Sequence, residues 1–101
     1  MTKLTKVKLV TIIAESFLET RLRHELTDLG AKGFTVSPSR GLGTSQRRAD
    51  ALIGENVRME IVVSEEVRDK VIKHLQEDYF NNYSLIVLSS DVEVVRPEKY
   101  L

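Results

Sequence analysis

The sequence predicts an α+β domain of the ferredoxin-like βαββαβ class, in which two helices pack on one face of an antiparallel sheet. Strand-length apolar segments and amphipathic helical segments alternate as strand, helix, strand, long loop, strand, helix, strand. Two such strand-helix-strand units pack both helices on one side of a single sheet. The 101 residues leave room for one domain and a modest core. We therefore expect residues 1–101 to form a single unit.

A change in hydrophobic period marks the first strand and the first helix. Residues 7–14 form a β-branched apolar run, which is typical of a strand buried on both faces. Ser16, with Glu19 three positions later, predicts a capping box at the helix start. Gly30 supplies the helix stop. Between them, leucines recur at spacings of four, four and three and form the apolar stripe of the helix: Leu18, Leu22, Leu26 and Leu29.

The second half repeats this order of elements. Residues 33–36 predict a short second strand closed by Pro38, and the alternation over residues 57–63 predicts a third strand. Ser64 is a candidate cap for the second helix. Residues 81–82 predict a turn, residues 84–90 a fourth strand and residues 92–95 a short fifth strand. The second helix has its own buried stripe: Val67, Val71, Leu75 and Tyr79.

The predicted sheet has one face that the two helices do not cover. The strands carry Leu, Val and Ile in quantity, and the chain holds no third layer of helices. A large apolar face left open usually marks an interface. We therefore expect this face to be buried against another subunit.

Charge and cysteine content exclude several functional classes. Fifteen basic residues oppose fifteen acidic ones, so no global field attracts nucleic acid or an anionic membrane. The absence of cysteine removes disulfides, thiol catalysis and cysteine-based zinc sites, and it fits a reducing compartment. The apolar run near the N-terminus ends at Glu15 and is too short to span a bilayer. These features predict a cytoplasmic protein with no direct membrane insertion.

The sequence does not support an enzymatic reading. His24 and His74 lie on predicted helices among charged neighbours and lack a metal-ligand spacing, so we expect both to be solvated and no metal to be bound. Ser16 and Ser64 look like helix caps rather than nucleophiles. Glu60 is a lone carboxylate, which cannot form an acid/base pair.

A different chemistry is indicated by the long loop over residues 38–56, where hydrophobic periodicity disappears. Glycine backbone can approach an anion closely, and arginine offers forked donors that match phosphate oxygens. The loop has neither the Walker A ending nor the Rossmann glycines. A solvated loop without a ligand is the alternative interpretation. The residues that favour phosphate binding are Arg40, Gly41, Gly43, Arg47 and Arg48.

Several short motifs, in this order, resemble the PII signalling superfamily. GAKGFTV at residues 30–36 resembles the strand before that family's T-loop, and RGLG at residues 40–43 resembles the glycine pair at the base of the loop. RMEIVV at residues 58–63 resembles the strand that leaves the loop. YFNNY followed by SLIVLSS, residues 79–90, is similar to one branch in particular, the SbtB-type partners of cyanobacterial bicarbonate transport.

The resemblance implies a homotrimer that binds adenine nucleotides in clefts between subunits, with a T-loop that engages a partner. It places the backbone of Gly33, Phe34 and Thr35 beside the adenine and ribose, and Glu60 and Val62 at the border of the base. It places the loop glycines and arginines named above near phosphate. It also implies Asn82 and Tyr83 in a neighbouring loop, and Arg96 from the C-terminal segment, with a surface ion pair to Glu93 or Glu98 as the alternative for Arg96.

Departures from the classical pattern reduce the set of nucleotides that the resemblance implies. NNYS replaces the glycine-rich loop whose lysine holds the outer phosphates, and Asn56 stands where classical members have lysine. The loop also lacks the tyrosine that is uridylylated in classical members. These differences argue against tight MgATP and 2-oxoglutarate binding. They favour cAMP, AMP or ADP as the effector, with ATP as a further candidate.

The resemblance implies regulation of a membrane bicarbonate transporter of the SbtA type through the T-loop, which would place the protein at the membrane periphery. A carboxysome-associated sensor of AMP or ADP with bicarbonate is a second interpretation of the same kind. Two interpretations of other kinds remain: a weak nucleotide hydrolase, for which the loop supplies only Asp50 and Glu55, and a ligand-free structural trimer similar to CutA.

Overall fold

The computed structural model describes residues 3–40 and 55–101. These residues form strand β1 (Thr5–Glu15), helix α1 (Glu19–Leu29), β2 (Thr35–Ser39), β3 (Asn56–Val63), α2 (Glu65–Asp78) and β4 (Ile86–Val94). Short 3-10 turns cover Ser16–Leu18 and Pro97–Lys99. This order confirms the predicted ferredoxin-like arrangement.

The four strands form one antiparallel sheet in the order β2-β3-β1-β4. The central strand β1 pairs along its length with both β3 and β4, and Val10 lies opposite Ile61 on one side and Ser89 on the other. Among the strands of residues 3–40 and 55–101, β2 pairs only with β3 and is therefore the edge strand of this described sheet. The loop over residues 38–56 therefore leaves the sheet at the end where Ser39 faces Asn56.

The core lies between the helices and one face of the sheet. The predicted leucine stripe of α1 is buried there, with Leu18, Leu22 and Leu26 at most 2% exposed and Leu29 partly buried beside them. From α2, Val71 and Leu75 are fully buried. The sheet contributes alternate residues of its two central strands to the same cluster: Val10, Ile12, Ala14, Val57, Met59, Ile61 and Val63.

The opposite sheet face, which we name the open face, carries the other alternate residues. Because paired residues project to the same side of an antiparallel sheet, the register assigns its members. Ile86 and Leu88 of β4 are each 51% exposed on this face. The other apolar members are Val7, Leu9, Ile13, Val62, Val92 and Val94. The predicted uncovered apolar face is thus present in the described chain.

Helix ends follow the sequence in part. Gly30 has a φ of 120°, and its N–H donates to the carbonyls of Leu26 and Thr27, which confirms the predicted stop of α1. Ser64 accepts a hydrogen bond from the Val67 N–H at 3.2 Å and caps α2 as predicted. The capping box at Ser16 is wrong. Ser16 opens a 3-10 turn, and its own N–H donates to the Glu55 carbonyl at 2.8 Å.

Strand boundaries differ from the sequence prediction at two places. β2 runs through Pro38 instead of ending before it, because an edge strand tolerates a residue without an N–H on its unpaired side. The separate fifth strand at residues 92–95 is also wrong. Residues 92–94 continue β4, since Val92 and Val94 remain paired with β1 at Val7 and Thr5.

Candidate functional site

The open face brings three of the predicted site residues together. Thr35 of β2 lies directly opposite Glu60 of β3, and Val62 follows two residues later on the same face. Arg58, on the same face of β3, forms an ion pair with Glu60 at 3.5 Å between Nη2 and Oε2. Thr35 is exposed, while Glu60 and Val62 are half-buried. This part of the sheet therefore offers a hydroxyl, a carboxylate and an apolar side chain at the start of β2, at the opposite end of that strand from the loop.

Gly33 and Phe34 lead into this group from the end of α1. The Phe34 side chain packs against the core, and the backbone role assigned to Phe34 stays a prediction. A Cβ added at Gly33 would meet no atom within 4 Å, which shows open space at this position. Lys32, just before Gly33, donates a hydrogen bond to the Leu101 carbonyl. The C-terminal segment therefore reaches the same end of the domain.

Arg96 lies at the start of that C-terminal segment. It has a φ of 126°, in the left-handed region that non-glycine residues rarely adopt. Its side chain is 69% exposed, and its Nε lies 4.0 Å from Glu98 Oε1, which is the surface ion pair named above as the alternative to ligand contact.

Asn82 and Tyr83 lie in the turn between α2 and β4, at the end of the sheet where the loop begins and at the opposite end of β4 from Arg96. The N–H groups of both residues donate to the Tyr79 carbonyl, at 3.0 and 2.9 Å. Asn82 is exposed. The Tyr83 ring turns inward, 5.7 Å from the Tyr79 ring and 6.1 Å from the exposed Phe17 ring. The backbone of this turn and the Asn82 side chain are thus the groups that can contact a ligand.

These two parts of the predicted site lie at opposite ends of β4. The turn precedes Ile86, which pairs with Ile13, whereas Arg96 follows Val94, which pairs with Thr5. The two ends of β4, Ile86 and Val94, are separated by about 27 Å, because a strand rises ~3.4 Å from each of its nine residues to the next. An adenine nucleotide is shorter than this distance, so one chain does not bring Asn82 and Arg96 to the same ligand.

A polar network between the two helices was missed by the sequence interpretation. The Tyr79 hydroxyl donates to Glu25 Oε1 at 2.7 Å, His74 Nε2 lies 2.6 Å from the same oxygen, and Arg21 Nε donates to Glu25 Oε2 at 3.0 Å. His74 also faces Asp78 at 3.2 Å. The expectation of a solvated histidine is confirmed for His24 and wrong for His74, whose side chain is only 22% exposed.

Ionisation states in this network follow from its contacts. Partial burial of Glu25 opposes its charge, but hydrogen bonds from Tyr79, His74 and Arg21 outweigh this and lower the pKa of Glu25 to about 2. Burial and the bond to Glu25 raise the pKa of Tyr79 well above its ordinary value. At neutral pH the pair is therefore a carboxylate that accepts from a neutral phenol. Only the i,i+4 spacing of Arg21 and Glu25 could have signalled part of this network from the sequence.

The loop glycines and arginines lie mostly outside the described residues. Arg40, the first residue after β2, is exposed. Gly41, Gly43, Arg47 and Arg48 fall within residues 41–54, so their predicted phosphate contacts remain predictions. Over residues 3–40 and 55–101, no group of three or more His, Asp and Glu side chains could hold a metal ion. No helix in these ranges is long and apolar enough to cross a membrane.

Comparison with known proteins identifies relatives along nearly the whole chain. The family model described as nitrogen regulatory protein P-II matches residues 7–99. No curated protein sequence matches the chain. A PII-like signalling protein from Thermus thermophilus has a similar structure, with 48% identity, a TM-score of 0.85 and coverage of 98% of this chain and 99% of that chain.

A second relative has been solved with ligands. CPII from Thiomonas intermedia K12, bound to ADP and bicarbonate, covers 100% of both chains with 25% identity and a TM-score of 0.87. The same protein bound to ADP, AMP and acetate covers 97% of both chains with 26% identity and a TM-score of 0.85. The sequence, the sheet order and these structures agree on one family.

Proposed function

This chain belongs to the nitrogen regulatory protein P-II family, a family of signalling proteins, and we propose that it binds an adenine nucleotide in clefts between the subunits of a homotrimer. The favoured ligands are cAMP, AMP and ADP, with ATP as a further candidate. The loop over residues 38–56 then changes its conformation with the bound nucleotide and engages a partner. In this role residues 1–101 act as one PII-like domain.

The separation of Asn82 and Arg96 along β4 is the observation that carries this proposal. Two chains are needed to bring the two ends of β4 to one ligand, and the open face supplies the surface that would hold the chains together. In the resulting cleft, Gly33, Thr35 and Glu60 come from one subunit. The turn at Asn82 and Tyr83 lies at the same end of the sheet as the base of the loop and comes from the same subunit, and Arg96 comes from its neighbour.

The small number of phosphate-binding groups supports a ligand with few phosphates. Asn56 offers an amide where classical members have a lysine, and the turn at residues 80–85 carries no cation. Arg40, Arg47 and Arg48 are the guanidinium groups that we assign to phosphate, next to the glycine backbone of Gly41 and Gly43. Arg96 is a further candidate, once it leaves its pair with Glu98.

We propose a membrane bicarbonate transporter of the SbtA type as the partner, engaged from the cytoplasmic side through the loop. Similarity of the segment at residues 79–90 to the SbtB branch supports this choice. Co-purification with such a transporter, measured with and without nucleotide, tests it. We expect the amount of recovered transporter to depend on the nucleotide.

A carboxysome-associated sensor of AMP or ADP with bicarbonate is the second candidate. The relative CPII, which was solved with ADP and bicarbonate and with ADP, AMP and acetate, favours it. Bicarbonate added at constant pH and ionic strength should then strengthen ADP binding. An ADP affinity that is the same with bicarbonate as with chloride would contradict this second candidate and leave the first standing.

Isothermal titration with cAMP, AMP, ADP and ATP tests nucleotide binding itself. We expect micromolar binding of at least one nucleotide, and no binding to all four would refute the proposal in favour of a ligand-free structural trimer. Measurable nucleotide turnover would instead favour a weak hydrolase.

Replacement of a loop arginine tests the phosphate assignment. Arg48→Ala should weaken nucleotide binding by about tenfold or more, because a charge-assisted hydrogen bond is lost, while the midpoint of thermal unfolding stays nearly unchanged. Arg23→Ala is the matched control, since Arg23 is a half-exposed arginine on α1 whose ion pair within the described residues is with Glu19. Equal affinity of the Arg48 variant and the wild type would show that the phosphate is held elsewhere.

A further inference from the structure

Tyr79 connects helix α1 to the turn that precedes β4. Its hydroxyl donates to Glu25 of α1 at 2.7 Å. Its backbone carbonyl accepts from the N–H groups of both Asn82 and Tyr83, at 3.0 and 2.9 Å. Because the same residue makes both sets of bonds, the position of the turn depends on where the Glu25 carboxylate holds the Tyr79 ring.

Burial and side-chain packing make this connection stiff. Tyr79 is fully buried, so its hydroxyl has no water to replace Glu25. The Arg21 guanidinium lies 4.5 Å from the centroid of the Tyr79 ring and 5.9 Å from that of Tyr83. Arg21 Nη1 also donates to the Tyr83 hydroxyl at 3.5 Å. Glu25 orients Arg21 in turn, through the bond to Nε.

We propose that Glu25 and Tyr79 are positioning residues for the nucleotide cleft: they fix the turn at Asn82 and Tyr83, which forms one wall of the cleft. Neither residue touches the ligand. The inference rests on the proposed function, because the turn affects affinity only if it borders the nucleotide. Helix α1, on the helical side of the domain, then controls the affinity for nucleotide through the buried hydrogen bond from Tyr79 to Glu25.

The geometric part can be tested without any ligand. In Tyr79→Phe the ring still fills its place in the core, but the hydroxyl bond to Glu25 is gone. Amide hydrogen exchange of Asn82 and Tyr83 should accelerate by about tenfold, because the turn opens locally more often. Ser64→Ala is the matched control, since it weakens α2 at its other end. Unchanged exchange at the turn in Tyr79→Phe would overturn the inference.

Titration with ADP tests the consequence for binding. We expect the affinity to fall by about fivefold in Tyr79→Phe and in Glu25→Gln, the lower end of typical coupling between sites, and to stay at the wild-type value in Ser64→Ala. An equal loss in Ser64→Ala would show that general destabilisation is responsible and would overturn the positioning role. If the wild type itself binds none of the nucleotides, the proposed function fails, and the exchange measurement alone decides whether Tyr79 positions the turn.

Discussion

The Glu25 carboxylate accepts hydrogen bonds from three side chains on two helices, so its charge contributes to the stability of the fold. Its pKa falls from 4.5 to about 2 in the folded chain. A carboxyl whose pKa is lower in the folded state stabilises that state above its unfolded pKa, and the contribution is lost as the pH falls through the folded pKa. Solvent reaches 30% of the side chain, so we discount the contribution to about 1–2 kcal/mol.

This linkage predicts a specific acid sensitivity. The free energy of unfolding of the wild type should decrease as the pH falls from about 4.5 to about 2, and in Glu25→Gln the decrease should be smaller by about 1–2 kcal/mol. Urea unfolding at a series of pH values measures the difference. Glu19→Gln is the matched control, because Glu19 is similarly exposed and its ion pair in the described part of the chain is a loose one, with Arg23 at 3.9 Å. Parallel curves for the wild type and Glu25→Gln would contradict the assignment.

At the scale of elements, the two serines before the helices should differ in their effect on stability. Ser64→Ala removes the side-chain acceptor of the Val67 N–H and should cost about 1 kcal/mol. Ser16→Ala should change the free energy of unfolding by less than about 0.5 kcal/mol, because Ser16 contributes its backbone N–H rather than a side-chain cap. Chemical denaturation measures both. A larger loss for Ser16→Ala would show that a capping box forms after all.

A second comparison at this scale concerns two glycines that follow α1. Gly30→Ala should destabilise the fold by about 1–2 kcal/mol, because φ is 120° and the added Cβ would lie 3.0 Å from Val67 Cγ2. Gly33→Ala meets no atom within 4 Å and should leave the thermal midpoint nearly unchanged. Differential scanning calorimetry of the two variants checks this. Similar midpoints would contradict the backbone argument.

The sequence predicted those features that depend on residues close together in the chain. It missed those that depend on contacts between residues far apart in the chain. Apolar spacing predicted both helices and the order of elements along the chain. The buried stripes of α1 and α2 follow the helical period. The predicted capping box failed at Ser16, because the Ser16 N–H donates to the carbonyl of Glu55, which is distant in sequence. The prediction of a solvated side chain failed at His74 for the same reason: Glu25, its partner, is 49 residues away. The grouping of Thr35 with Glu60 followed from strand pairing. The separation of Asn82 from Arg96 needed the register of β4 with β1.

At the scale of the whole molecule, the open face predicts the quaternary structure. A charge placed among its apolar side chains would have to be buried without a partner in a trimer. Leu88→Asp, at a residue 51% exposed in the single chain, should therefore yield monomers in light scattering coupled to size-exclusion chromatography. Phe17→Asp is the control, since Phe17 is 66% exposed but lies outside the sheet. A trimer of unchanged mass in Leu88→Asp would contradict burial of this face.

Pro38 in the edge strand β2 has a consequence for behaviour at high protein concentration. An edge strand presents a row of unpaired backbone donors and acceptors, which is a template for edge-to-edge association and fibre growth. Pro38 pairs with Val57 and has no N–H to offer to a neighbouring strand. β2 thus lacks one backbone donor within its five residues. The proline gives β2 protection against aggregation without interrupting its pairing to β3.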